Sequence, residues 1–114
     1  MQFNEYQTLA ANTAIYPLAS KVTYPALGLC GEAGEVAEKV KKNIRDGASP
    51  TFKEDMKKEL GDVLWYISAL ARDLDIDLDT IAQLNLEKLK DRQERNKIQG
   101  SGDDRFRYLS FDYG

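Results

Sequence analysis

A chain of 114 residues is enough for one domain with a modest core, and 42% hydrophobic with 31% charged residues is the composition of a globular, helix-rich protein. A net charge of −3 gives no general affinity for nucleic acid or an anionic membrane, no apolar run approaches the ~20 residues of a membrane span, and "MQFNEYQTLA" has no basic-then-apolar leader pattern. Histidine is absent, which excludes a Ser-His-Asp triad, His-ligated zinc and the Glu-x-x-His pattern of di-iron bundles, while the single Cys30 fits a reducing cytoplasm.

The first expected helix covers residues 3–14 and breaks at Tyr16-Pro17, because the residue before a proline is pushed out of the α region. A second runs from about Pro25 to Arg45, with Leu29, Ala33, Val36, Val40 and Ile44 recurring every three or four residues and the glycine of "RDG" suited to the C′ position. The third begins at "ASPT", where Ser49 or Thr51 can cap and Pro50 is tolerated in a first turn. Its stripe is Met56, Leu60, Val63, Leu64, Ile67, Leu70, Ala71 and Leu74, with Trp65 well off it. Trp65 therefore either closes against a loop or faces a subunit or ligand. "DIDLD" interrupts the pattern, and Asp77 or Asp79 can cap a fourth helix that reaches about Asn96. The expected fold is all-α, a four-helix-bundle-type subunit, with residues 1–99 as a single catalytic domain and 100–114 as its glycine-rich loop and aromatic tail. The exposed apolar residues Trp65, Leu64 and Leu86 point to a dimer or larger assembly.

Acids dominate the polar pattern. Glu32 and Glu35 are three apart on the second helix, and Glu59 and Asp62 repeat that spacing on the third. Residues three apart lie about 60° apart around a helix and one turn along it, so two such pairs on adjacent antiparallel helices can bring four carboxylates together. Hard divalent cations, Mg²⁺ or Mn²⁺, take such oxygen ligands. Gly31, Gly34 and Gly61 beside the acids suggest close backbone approach or room for a ligand, since glycine inside a helix costs roughly 1 kcal/mol relative to alanine. The pattern alone leaves a metal site and a solvated acidic face both open. Glu38 lies further round the helix and reads as a solvated partner of Lys41 or Lys42.

The two acid pairs with their flanks, "GEAGEVAEKVKK" and "KELGDVLWYISALA", together with "NLEKLKDR", resemble the signature of the MazG-like all-α nucleoside triphosphate pyrophosphohydrolases over about residues 24–96. The resemblance implies an oligomerising helical bundle in which Glu32, Glu35, Glu59 and Asp62 hold Mg²⁺. It also implies hydrolysis of a nucleoside triphosphate between the α and β phosphates, to the monophosphate and pyrophosphate. Its branches include dUTPases and phosphoribosyl-ATP pyrophosphohydrolases, which the motif does not separate. Alongside that function, Lys88 and Arg92, one turn apart, can present donors to phosphate, with Asn85 a neutral donor one turn before Lys88. Tyr66 falls one turn after Asp62 on the acid-bearing face, and Arg105 follows the glycine-rich "GSGDD", a loop able to curl around an anion. The rival of another class is a non-catalytic helical module that binds partners through its Trp65 face.

Overall fold

The computed structural model describes residues 1–98, and its secondary structure there is helical throughout: α1 Phe3–Ala11, a 3₁₀ turn Leu18–Ser20, α2 Thr23–Arg45, α3 Phe52–Asp73 and α4 Leu78–Ile98. The expected all-α class is thus observed. The chain divides into two compact units, Met1–Asp79 and Thr80–Gly114. The first contains α1, α2, α3 and the start of α4.

α1 stops three residues before its expected end. The N–H groups of Asn12, Thr13 and Ala14 reach back only three residues, to Leu9, Ala10 and Ala11, so the chain tightens into turns. The Thr13 hydroxyl donates to the Ala10 carbonyl at 2.7 Å, and the Arg72 guanidinium donates to that of Ala11 at 3.3 Å, which occupies the helix's last acceptors. A cation at a helix C-terminus is also favoured by the helix dipole.

α2 begins two residues before Pro25. Proline is tolerated in this first turn because the first four N–H groups have no intrahelical acceptor. The chain enters α2 through Val22, at φ 69° and ψ −52°, with the Thr23 N–H closing onto the Lys21 carbonyl at 2.8 Å. This is a γ-turn centred on a β-branched residue, a conformation that costs of order 1–3 kcal/mol unless its surroundings hold it. At the other end of α2, Gly47 at φ 90° follows the cap residue Asp46, as the sequence suggested.

The short connection 46–51 returns α3 beside α2 as an antiparallel partner. Thr51 takes the N-cap position of α3, and Ser49 supports it, its hydroxyl accepting the Thr51 N–H at 3.3 Å. Pro50 lies before the helix rather than in its first turn. α3 ends in a Schellman motif: the Ile76 N–H donates to the Ala71 carbonyl and the Asp75 N–H to that of Arg72, with Asp75 at φ 59° where glycine is usual. α4 starts on side chains borrowed from α1. The Leu78 N–H donates to Gln7 Oε1 at 3.1 Å and the Asp79 N–H to Asn4 Oδ1 at 3.0 Å, while Gln7 Nε2 donates to the Ile76 carbonyl at 3.0 Å. Asp79 is inside the helix and so is not its cap.

The core differs from the expected stripe. Among the described residues the buried apolar positions are Pro25, Ala69, Ala71 and Leu78, of which Ala71 belongs to that stripe, with Gln7, Ser68 and Asp73 buried beside them. Leu60 and Leu74 of the stripe are half exposed, and Ile44 of α2 is 79% exposed. The reason is that α1 packs on the face of α3 carrying Trp65, Ser68, Ala69 and Arg72, spaced three and four apart, where small side chains admit a helix closely. Trp65 closes against the turn after α1, donating its indole N–H to the Thr13 hydroxyl at 2.8 Å.

Candidate metal centre

Helix register puts the acids together. Glu32 on α2 and Glu59 and Asp62 on α3 each offer a carboxylate oxygen, and these three oxygens lie within 4.8 Å of one another. Glu32 and Glu59 are half-buried and Asp62 is exposed. Glu35, one turn further along α2, lies outside that group, although its charge still reaches Glu32. The Glu32 carboxyl is raised above the ordinary value by partial desolvation, then by the negative charges of Asp62, Glu59 and Glu35. Glu38 behaves as expected of a solvated residue: it pairs with Lys41 at 2.8 Å, and that ammonium holds its carboxyl below the ordinary value.

An aromatic group borders the acids. Tyr66 lies one turn beyond Asp62, and its ring packs flat enough on α2 that a Cβ at Gly28 would overlap it. The pairing follows from antiparallel register, with 32 opposite 62 and 28 opposite 66. The Tyr66 phenol is raised by burial, then by its hydrogen bond with Tyr24, and by the nearby charges of Glu32 and Asp62. Tyr24 in turn stacks on Tyr16, with ring centres 4.8 Å apart and planes at 15°, and Trp65 meets Tyr66 edge-on at 5.0 Å. From α1, Tyr6 is raised by burial and by Asp62, which places a second phenol near that acid. Tyr6 and Tyr24 were not singled out in the sequence.

The glycines beside the acids do not serve close backbone approach. A Cβ at Gly31, Gly34 or Gly61 would meet nothing within 4 Å, so these positions leave open space, and the close approach occurs at Gly28. On α4, the exposed Asn85, Lys88 and Arg92 share one face of the helix, since three and seven residues are close to whole turns. Arg105 lies outside the described residues. A separate cleft of about 560 Å³ is lined by Gln7, Thr8, Ala11, Asn12, Arg72, Asp75, Ile76 and Asp77. None of the four acids lines it, and its guanidinium, Arg72, donates to the Ala11 carbonyl.

An all-α chain with three convergent carboxylates on two antiparallel helices defines a class, the helical proteins with an acidic cluster suited to a divalent cation. Residues 23–96 match the MazG nucleotide pyrophosphohydrolase domain, and the chain belongs to that family. A relative, the "Gene 37 protein" of Mycobacterium phage L5, is 47% identical over 114 residues, covering 92% of this chain and 100% of its own. No solved structure matches the chain. Among the described residues, no helix is long and apolar enough to cross a membrane.

Proposed function

We propose that the protein is a Mg²⁺-dependent nucleoside triphosphate pyrophosphohydrolase that cleaves between the α and β phosphates, releasing a nucleoside monophosphate and pyrophosphate. The observation that carries this reading is the meeting of Glu32, Glu59 and Asp62 within 4.8 Å in a chain of the MazG family. The donor set fits a hard divalent cation: the ligands are all carboxylates, and the desolvation and mutual repulsion that raise the Glu32 carboxyl are what a cation relieves. Bound there, Mg²⁺ neutralises charge on the phosphates, and Mn²⁺ can take its place.

The chain's own residues do the rest. Glu32, Glu59 and Asp62 would hold the cation, with exposed Glu35, one turn along α2, as the fourth acid of the set. A carboxylate of this group accepts the proton of the attacking water, which is general base work at a site crowded enough to keep a carboxylate basic. The Tyr66 hydroxyl contacts the sugar or phosphate. Asn85, Lys88 and Arg92 on one face of α4, with Arg105, supply the donors that phosphate oxygens require. The protein works in the cytoplasm, in keeping with its single cysteine, and as a homodimer or homotetramer, because Leu27, Ile44 and Leu60 are left exposed for another copy to cover.

The test is Mg²⁺-dependent pyrophosphate release from a panel of ribo- and deoxyribonucleoside triphosphates, in the parent and in Glu35→Gln and Asp62→Asn. Each substitution is expected to abolish turnover while the helical circular dichroism stays unchanged. Near-parental activity in both would remove the acid assignment.

A further inference from the structure

Asp73, at the C-terminal end of α3, is a buried carboxylate that the proposed reaction does not use. Its Oδ2 accepts two hydrogen bonds, from the Tyr16 hydroxyl at 2.8 Å and from the Val22 N–H at 2.9 Å. The Arg72 guanidinium stands 3.9 Å from its other oxygen. Burying a carboxylate is costly unless its bonds are made, and here both go to one distant segment, 57 and 51 residues back along the chain. Val22 is the centre of the γ-turn that opens α2, so Asp73 satisfies an N–H the turn leaves without a backbone partner. The clasp therefore holds a strained turn and the phenol beside it.

What this segment positions is Tyr24, two residues beyond the centre of the turn. Its ring is stacked on Tyr16, and its centre lies 6.3 Å from that of Tyr66, with the two planes tilted at 40°. Tyr66 and Asp73 are seven residues apart on α3, two turns along one face, so the clasp and the acid site are two ends of one row. Tyr24 remains 45% exposed. An uncharged aromatic with an open surface and a hydroxyl can offer its face to a base and its hydroxyl to a sugar, while it brings no charge to a phosphate. We propose that Tyr24 contacts the nucleoside part of the triphosphate, and that Asp73 is its positioning residue, acting through Tyr16 and Val22. The inference rests on the pyrophosphohydrolase reading and adds to it which surface meets the nucleoside.

The experiment compares Tyr24→Ala, Asp73→Ala, Asp73→Asn and Tyr16→Phe in the full chain with Mg²⁺. The substrate is the nucleoside triphosphate the parent cleaves fastest, and inorganic tripolyphosphate serves as a competitive inhibitor lacking a nucleoside. Tyr24→Ala and Asp73→Ala are expected to raise KM about 10-fold, the scale of a lost base-stacking contact, with kcat nearly unchanged. Inhibition by tripolyphosphate and Mn²⁺ affinity stay at parental values, because the acids are untouched. Asp73→Asn keeps an acceptor oxygen and restores KM to within about threefold of the parent. If Asp73→Ala does not fold, Tyr16→Phe decides, since it removes one bond of the clasp and keeps the ring. It should raise KM about threefold. An active parent whose KM is unmoved by Tyr24→Ala, or by both clasp variants that fold, overturns this inference alone, as does an equal loss of tripolyphosphate inhibition. A parent that releases no pyrophosphate from any nucleotide overturns the functional reading and this inference with it.

Discussion

Two glycines three residues apart on α2 should respond to alanine with opposite signs. At Gly31 a Cβ meets nothing within 4 Å, so alanine adds only its helix propensity, a gain of roughly 1 kcal/mol. For a domain of this size that corresponds to a rise in Tm of about 4–8 °C. At Gly28 the same gain is present, but the new methyl overlaps the ring of Tyr66. That ring cannot simply swing away, because Trp65 packs against it at 5.0 Å in a T-shaped arrangement and Tyr24 lies on it at 6.3 Å between ring centres. Overpacking of this kind costs about 1–3 kcal/mol, so Gly28→Ala should be neutral to destabilised by about 2 kcal/mol. The two variants should therefore differ in Tm, with Gly31→Ala above the parent and Gly28→Ala at or below it. Thermal unfolding followed by circular dichroism measures this directly. Displacing Tyr66 should also weaken triphosphate affinity in Gly28→Ala. If Gly28→Ala gains as much stability as Gly31→Ala, the packing of Tyr66 on the α2 backbone is wrong.

Two further outcomes follow from the site and its surroundings. Because the Glu32 carboxyl is raised in the folded protein, its contribution to stability is present below the ordinary value of 4.5 and is lost as the pH rises through the raised value. Mg²⁺ should therefore stabilise the protein at pH 7, by about 2.7 kcal/mol at 100 times its Kd, and progressively less as the pH falls and Glu32 takes up a proton. A thermal shift independent of pH would count against the acid cluster as the binding site. Light scattering should show at least a dimer at micromolar concentration, given the exposure of Leu27, Ile44 and Leu60, and a monomer alone would contradict the proposed assembly.

The local rules of the helix were enough to read much of this protein from its residues. The 3.6-residue period locates α2 and α3, Gly47 marks the end of α2, and the i,i+3 spacing of Glu32, Glu35, Glu59 and Asp62 marks the acid-bearing faces. Such features depend on residues within one or two turns of each other, and the same holds for the Glu38–Lys41 pair. What the chain order conceals is set by contacts between residues on different helices, far apart along the chain. The early end of α1 depends on Arg72, and the start of α4 depends on Asn4 and Gln7. The γ-turn at Val22 exists because Asp73 receives its N–H, and no propensity favours valine there. The meeting of three of the four acids, with Glu35 outside the group, reflects which faces α2 and α3 turn to each other. The fully buried positions of α3 share only Ala71 with the stripe for the same reason. Its hydrophobic stripe reports which side chains avoid water, whereas α1 settled where small residues at 68 and 69 let a helix approach, leaving leucines outside.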